Sequence, residues 1–360
     1  MVRGSVPTTR QAISRLFFAG LPGRTLDRAT RQLCRTMPFG GFVLFRRNAA
    51  PPGRLRELVG KLHALDPSLP PLVAIDHEGG RVHRLRPPFT HFPAPATIAH
   101  HGTRTVGAVA RAMARELAAI GIDLTFSPDL DVATNPANPV IGDRAYGSDP
   151  AAVGRAGLAA HRATRAEGLL TCGKHFPGHG DTAVDSHLAL PIVRRSRRAL
   201  GHTELAPFRQ AIAAHVPMIM SAHVRYTALD RKDPATLSQK ILTGLLRRRL
   251  GFRGVICSDD FGMRAITDHY GVGEAAVRSV AAGVDALLFC QDQVNVRIAV
   301  LAVEQAVLRG HLPEARIADA YRRVTALARW RRARPHRVRI TTIGNREHAR
   351  LCARVAAPTT

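Results

Sequence analysis

The chain is poor in lysine, in aromatic residues and in acid, and each shortage closes a route. Only four of its 52 basic residues are lysines (Lys61, Lys174, Lys232, Lys240). Aromatic side chains make up 5% of the 360 residues, too few for the stacking platforms of a single-strand binder, and no RNP, KH or zinc-finger pattern occurs. Five cysteines (Cys34, Cys172, Cys257, Cys290, Cys352) contain no C-x-x-C, which argues against a disulfide framework and against a zinc site. Long apolar runs are missing too. Arg3 and Arg10 precede only the short run Leu16 to Leu21, less than a signal-peptide core needs, and no stretch reaches transmembrane length. The expectation is a cytoplasmic protein with no membrane partner.

What is present in excess is arginine. The formal net charge is +25, which should attract polyanions, so nucleic acid, an anionic membrane and an anionic substrate all need weighing. Arginines are nevertheless spread along the whole chain, as a coding bias toward Arg and Ala would leave them, and a nucleic-acid-binding protein remains only a remote alternative. Residues 1–50 carry +8 and residues 301–360 carry +9, whereas 101–150 and 251–300 each carry −2. The candidate chemistry lies largely in and between those two acidic stretches.

Eight short apolar runs alternate with segments of helical period: Leu16 to Ala19, Gly41 to Phe45, Leu72 to Ile75, Asp123 to Phe126, Leu169 to Gly173, Met218 to Ser221, Gly254 to Ser258 and Ala286 to Phe289. Helices are predicted at about 26–36, 53–65, 104–120, 150–167, 203–215, 238–250 and 273–283, with more after 294. Strand alternating with helix eight times argues for an α/β fold, a single (β/α)8 barrel. An open doubly wound sheet would want a glycine-rich phosphate loop, and Gly20-Leu21-Pro22-Gly23 is a poor one because proline lacks a donor. The expected organisation is one catalytic domain over 1–360, with its core at about 10–335 and a basic segment 336–360 packed on the barrel.

Polar residues collect where these runs end. Lys174-His175-Phe176-Pro177-Gly178-His179-Gly180-Asp181 is followed by Asp185-Ser186-His187; two residues apart in an extended loop, Asp185 and His187 share a face, so the carboxylate can orient the imidazole. Val255-Ile256-Cys257-Ser258-Asp259-Asp260 ends a buried strand on two acids. A buried carboxylate is costly unless paired or functional, and alternation aims only one of the two inward, so Asp259 is a candidate nucleophile. Asp76-His77-Glu78-Gly79-Gly80-Arg81-Val82-His83-Arg84 offers a hydroxyl acceptor in Asp76 and a clamp in Arg84, and Asn138 to Gly147 presents Arg144. A metal site built from His175, His179, Asp181, Asp185 and His187 is disfavoured, because no H-E-x-x-H occurs and Lys174 would bring positive charge beside any cation. Neither a metal nor another cofactor is expected.

Taken together and in order, D-x-E-G-G-R-V-x-R, K-H-F-P-G-H-G with D-S-H downstream, S-A-H-V, P-A-T-L-S and G-F-R-G-V-I-C-S-D-D-F resemble glycoside hydrolase family 3, in its branch of β-N-acetylhexosaminidases that recycle peptidoglycan. The likeness runs from about residue 10 to 350. It implies a (β/α)8 barrel and a retaining mechanism through a covalent glycosyl-enzyme intermediate. Asp259 would be the nucleophile, His187 the acid/base and Asp185 its support, with Asp76, Arg84, Arg144, Lys174 and His175 binding sugar. His77, where related sequences often have Gln or Thr, and Arg225, where an apolar residue is common, are departures expected beside the catalytic set.

Relatives that cleave unsubstituted glucosides usually carry a second α/β domain supplying a glutamate acid/base. Only about 70 residues follow the eighth run, which leaves His187 as the expected supplier. The expected activity is therefore removal of non-reducing terminal N-acetylglucosamine from muropeptides bearing anhydro-N-acetylmuramic acid, by a monomer whose partner is that small carbohydrate. A phosphorylase acting on the same glycoside and a β-glucosidase-like hydrolase are the alternatives. The glycine-containing loop that bears His187 is expected to move during turnover.

Overall fold

The computed structural model describes residues 9–357; Arg3 and the last three residues of the basic C-terminal segment fall outside them. Eight parallel strands close into a barrel: β1 Phe17–Gly20, β2 Gly41–Leu44, β3 Leu72–Ile75, β4 Leu124–Thr125, β5 Leu170–Phe176, β6 Met218–Ser221, β7 Val255–Asp260 and β8 Ala286–Phe289. Each pairs with its successor, and β8 returns to β1 through Phe17 opposite Leu287. This is the (β/α)8 barrel that the eight runs predict. The ring of helices is α1 Arg28–Thr36, α2 Pro52–His63, α3 Gly102–Ala119, α4 Pro150–Ala166, α5 Leu205–Ala213, α6 Lys240–Arg249, α7 Val272–Ala282 and α8 Gln293–Leu308.

Local signals set the helix ends. Asp27 caps α1 by accepting the Thr30 N–H at 2.6 Å, and Asp149 caps α4 with Pro150 at its first position, where the missing donor costs nothing. α7 stops at Gly283, whose φ of +123° an L side chain rarely adopts. α6 is wound with five-residue spacing, as the Leu250 N–H bonding Leu245 O at 2.9 Å shows.

Alternation along the strands splits the apolar residues into two layers. Phe18, Val43, Leu72, Ala74, Leu170, Cys172, Met218, Met220, Val255, Cys257, Ala286 and Leu288 point into the barrel. Phe17, Ala19, Phe42, Leu44, Val73, Ile75, Ile219, Ile256, Leu287 and Phe289 point out against the helices. Burial on both faces is why the strands read as continuous apolar runs rather than as alternating ones.

Two further helices follow the eighth strand-helix unit. Val324 and Ala328 of α9 Glu314–Arg332 join the inner cluster and plug the barrel floor. There Asp285 gathers Arg247, Arg316 and Arg323, and Asp123 pairs with Arg331, so part of the arginine excess serves the barrel's closed end. α10 Arg346–Ala356 is held to α3 by His348 Nδ1 on Glu116 at 2.8 Å, and its Val355 is buried among Phe92, Ile98 and Val106. No helix of the described residues is long and apolar enough to cross a membrane.

Candidate active site

The strands deliver their polar ends to a pocket of about 340 Å3 at the open mouth. Asp76 follows β3, Lys174 and His175 lie on β5, and Asp259 lies on β7. Arg84 follows the hairpin His77–Gly79 and Val82–His83, Arg144 ends the single turn Gly142–Arg144, and Asp185 and His187 sit on the loop after β5. All eight line this one pocket, so residues up to 183 positions apart in sequence converge. Its floor is the top of the inner apolar layer, with Val43, Phe126, Met220 and Leu288. The C-terminal face is where barrel enzymes work, because their loops can vary there without disturbing the core.

Charges of alternating sign stitch one wall. Arg84 Nη2 is 3.3 Å from Asp76 Oδ2, and Lys174 Nζ donates to Asp76 Oδ1 at 2.8 Å and reaches Glu78 Oε1 at 2.6 Å. Arg144 grips Glu78 with two parallel bonds of 2.9 Å and stands 3.6 Å from Asp129 Oδ2. Burial works against each ion, yet the opposite charges prevail: Glu78 is held well below the usual carboxylate range, and Lys174 and Arg144 are pushed above theirs. Such a network fixes geometry more than it stabilises the fold, since dehydrating the ions offsets much of their attraction. Two protons of Lys174 are engaged, and the third is free to donate into the pocket.

The two adjacent acids of β7 have different partners. Asp260 Oδ1 accepts the N–H groups of Gly262 at 3.0 Å and Cys290 at 2.9 Å, which ties β7 to the end of β8. Among the described residues, Asp259 Oδ1 accepts only the Asp260 N–H, at 2.8 Å. Burial would raise the Asp259 carboxyl, but the neighbouring imidazoles of His175 and His223 and that N–H bring it below the ordinary range. An ionised, lightly engaged carboxylate facing a pocket can attack an electrophile.

His175 has a partner outside the constellations singled out in the sequence. Its Nδ1 lies 2.6 Å from Asp131 Oδ2, and Asp131 Oδ1 also accepts the N–H of His179 at 2.6 Å. Burial lowers the imidazole to about 4 and raises Asp131 to about 6. With Nδ1 held, Nε2 of a neutral His175 is left for a ligand. Asp129, Asp131 and His175 also bring possible metal-ligand atoms within 4.8 Å of one another. This set shares only His175 with the five residues weighed from sequence, and Arg144 already stands beside it as a fixed cation.

His187 is the exposed member. Its Nδ1 is 2.8 Å from Asp185 Oδ1, which also accepts the His187 N–H at 2.8 Å, while the imidazole is 65% exposed. The loop has two unlike halves. Residues 176–180 are buried; a Cβ on Gly180 would lie 1.7 Å from Val132 O, and Gly178, at φ +135°, packs on Glu204. These glycines allow close packing. The outer half is the exposed one, with Val184 and Leu188 at 42% and 62% on either side of the Asp-His pair. His77 and Arg225, expected beside the catalytic residues, do not line the pocket: His77 is buried 4.2 Å from the His83 ring, and Arg225 lies on the small outer strand Arg225–Tyr226.

Glu78, Asp129 and Asp131 carry structural weight that the sequence reading did not assign them. Glu78 was visible inside the D-x-E-G-G-R motif without a partner to give it meaning. For the other two a signal existed. In Phe126-Ser127-Pro128-Asp129-Leu130-Asp131 two acids follow an apolar run with the spacing that puts them on one face.

Fold and mouth together define a class, a (β/α)8 barrel with a carboxylate- and imidazole-lined pocket at its C-terminal face. The chain belongs to glycosyl hydrolase family 3: the model of that family's N-terminal domain matches residues 8–327. A Beta-hexosaminidase of Alkalilimnicola ehrlichii is 39% identical over 337 residues, spanning 87% of this chain and 93% of the relative. Among solved structures, a family 3 β-N-acetylglucosaminidase from Paenibacillus sp. superposes with a TM-score of 0.91 at 37% identity, covering 97% of this chain and 68% of that one. NagZ from Neisseria gonorrhoeae does so with a TM-score of 0.73 at 33% identity, covering 87% and 98%.

Proposed function

We propose that the protein is a β-N-acetylhexosaminidase, a retaining exo-enzyme that hydrolyses terminal β-linked N-acetylglucosamine from peptidoglycan fragments ending in anhydro-N-acetylmuramic acid. The single observation that carries this reading is a pocket holding Asp259 together with the Asp185–His187 pair, in a chain whose relatives are hexosaminidases. In the first step an Asp259 carboxylate oxygen attacks the anomeric carbon, the glycosidic C–O bond breaks, and the departing oxygen takes the Nε2 proton of His187. In the second, His187 removes a proton from water, the water oxygen attacks the anomeric carbon, and the Asp259 carboxylate is released. Asp185 holds Nδ1 throughout and steadies the protonated imidazole. Asp76, Arg84, Arg144, Lys174 and His175 bind the sugar hydroxyls and the N-acetyl group. We place this work in the cytoplasm, by a monomer that needs no cofactor.

The test is a pair of chromogenic substrates, the β-N-acetylglucosaminide and the β-glucoside, followed by defined muropeptides. Release from the first and from the muropeptide is expected; cleavage of the glucoside alone would overturn the substrate. Running the reaction in phosphate buffer and assaying N-acetylglucosamine 1-phosphate decides between hydrolysis and phosphorolysis, since a histidine acid/base puts no negative charge in the way of phosphate. Mass spectrometry of a stalled turnover should find the added hexosamine on Asp259.

A further inference from the structure

Helices α3, α4 and α10 leave between them a groove of about 750 Å3 that shares no lining residue with the pocket at the barrel mouth. Arg104, Arg111 and Arg115 line it from α3, at spacings that put them on one face of the helix. Arg162 enters from α4, and Arg350 and Arg354, one turn apart, from α10. Small residues such as Gly107, Ala112 and Ala159 line it between the arginines. Its only acid is Glu347.

These arginines differ from those at the barrel floor, where Arg247, Arg316 and Arg323 share Asp285. Among the described residues the side chains of Arg104, Arg115, Arg162, Arg350 and Arg354 make no hydrogen bond or ion pair, and Arg111 comes only to 3.8 Å from Glu167. Six guanidinium groups around one concavity repel each other and present unfilled donor forks, each able to take two oxygens of one phosphate.

We propose that this groove binds a linear inorganic polyphosphate chain. Arg104 to Arg115 spans about 16 Å along α3 by helix rise, which suits an extended ligand rather than a single anion. A nucleic-acid duplex is too broad for a concavity of this volume. A single strand would call for aromatic platforms and base-reading amides; no Phe, Tyr, Trp, Asn or Gln lines the groove, and its one ring, His348, is buried on Glu116. An acidic peptide is the other ligand that arginine clusters take, and the polyglutamate arm of the test below separates it from polyphosphate. A slim chain with a charge on every unit and no bases fits what remains.

The test is fluorescence anisotropy with end-labelled medium-chain polyphosphate on the full-length protein. A groove variant, Arg111→Gln with Arg162→Gln and Arg350→Gln, is compared with a control that loses the same charge from exposed arginines outside the groove, Arg56→Gln with Arg253→Gln and Arg309→Gln. The groove variant should bind roughly ten-fold or more weakly, and the slope of log affinity against log salt should fall by about two. The control should stay within about two-fold, and both should keep wild-type glycosidase turnover, since none of the six residues touches the mouth pocket. Equal weakening of the two variants would reduce the binding to net charge and overturn the proposal. So would tighter binding of single-stranded DNA or polyglutamate than of polyphosphate at matched ionic strength.

Discussion

Replacing Glu78 by Gln removes one charge and almost no volume from the centre of the charged wall, and its effect follows from the geometry. Glu78 receives two bonds of 2.9 Å from Arg144 and a contact of 2.6 Å from Lys174. Breaking a buried ion pair from one side costs about 3–5 kcal/mol, because the partner's charge stays buried. Neither cation is wholly orphaned here: Lys174 keeps Asp76 at 2.8 Å, and Arg144 keeps Asp129 at 3.6 Å. The expected loss is therefore at the low end, about 3 kcal/mol, which for a chain of this length lowers Tm by roughly 4 °C. Arg144 and Lys174 also lose their fixed positions. If half of that free energy is felt by the bound sugar, kcat/KM should fall about ten-fold or more, mostly through KM, because the role proposed for these cations is to hold hydroxyl groups and not the breaking bond. The assays are calorimetry and steady-state kinetics on a β-N-acetylglucosaminide. A Glu78→Gln protein with Tm within a degree or so and kcat/KM within about two-fold of wild type would refute the reasoning.

Other outcomes are as specific. Asp259→Asn should lower kcat roughly a thousand-fold or more with Tm little changed, because a neutral amide cannot attack; a variant with wild-type turnover would remove Asp259 from the mechanism. His187→Ala should cost about a hundred-fold on a disaccharide and under about ten-fold on a nitrophenyl glycoside, whose leaving group hardly needs a proton; equal losses on both would argue against an acid role. Stability should fall as pH drops from about 6.5 toward 4. Burial lowers His83, His161, His175 and His336 to about 4 and His179 to about 3, so in that window the unfolded chain takes up protons that the native state refuses, at up to ~1.4 kcal/mol per pH unit for each histidine. Asp131, raised to about 6, and Asp129, raised well above the usual carboxylate range, act with the opposite sign, because their native forms hold protons that the unfolded carboxyls have lost. The five histidines outnumber them. A Tm that held level or rose between pH 6.5 and 5 would contradict this balance.

The barrel was legible because a parallel strand buried on both faces leaves an unmistakable trace, and all eight apolar runs coincide with strands. The pocket was partly legible for a related reason. A polar residue just past such a run has few places to go but the mouth, and Asp76, Lys174, His175 and Asp259 were found that way. Partnership between distant residues was not legible. Glu78 gains its meaning from Arg144 and Lys174, 66 and 96 positions on, and Asp131 from His175 and the His179 N–H, 44 and 48 positions on. Nothing in local spacing announces either.

The same limit separates two kinds of arginine in this chain. Eight of them fall in the last 30 residues, and by composition they look alike. Arg331 turns inward to Asp123 and helps to close the barrel floor, whereas Arg350 and Arg354 line a groove with Arg104 and Arg115. An inward arginine with a buried acid is accounted for by the fold, because removing either partner would strand a charge. Arginines with no acid in ion-pair range are not, because the fold gives them no partner and a bound anion would supply one. Net charge alone could not separate these cases; the position of each guanidinium relative to an acid does. Anion binding should therefore raise Tm through the groove and leave the barrel floor indifferent, and the salt dependence of Tm in the groove variant should be flatter than in the wild type.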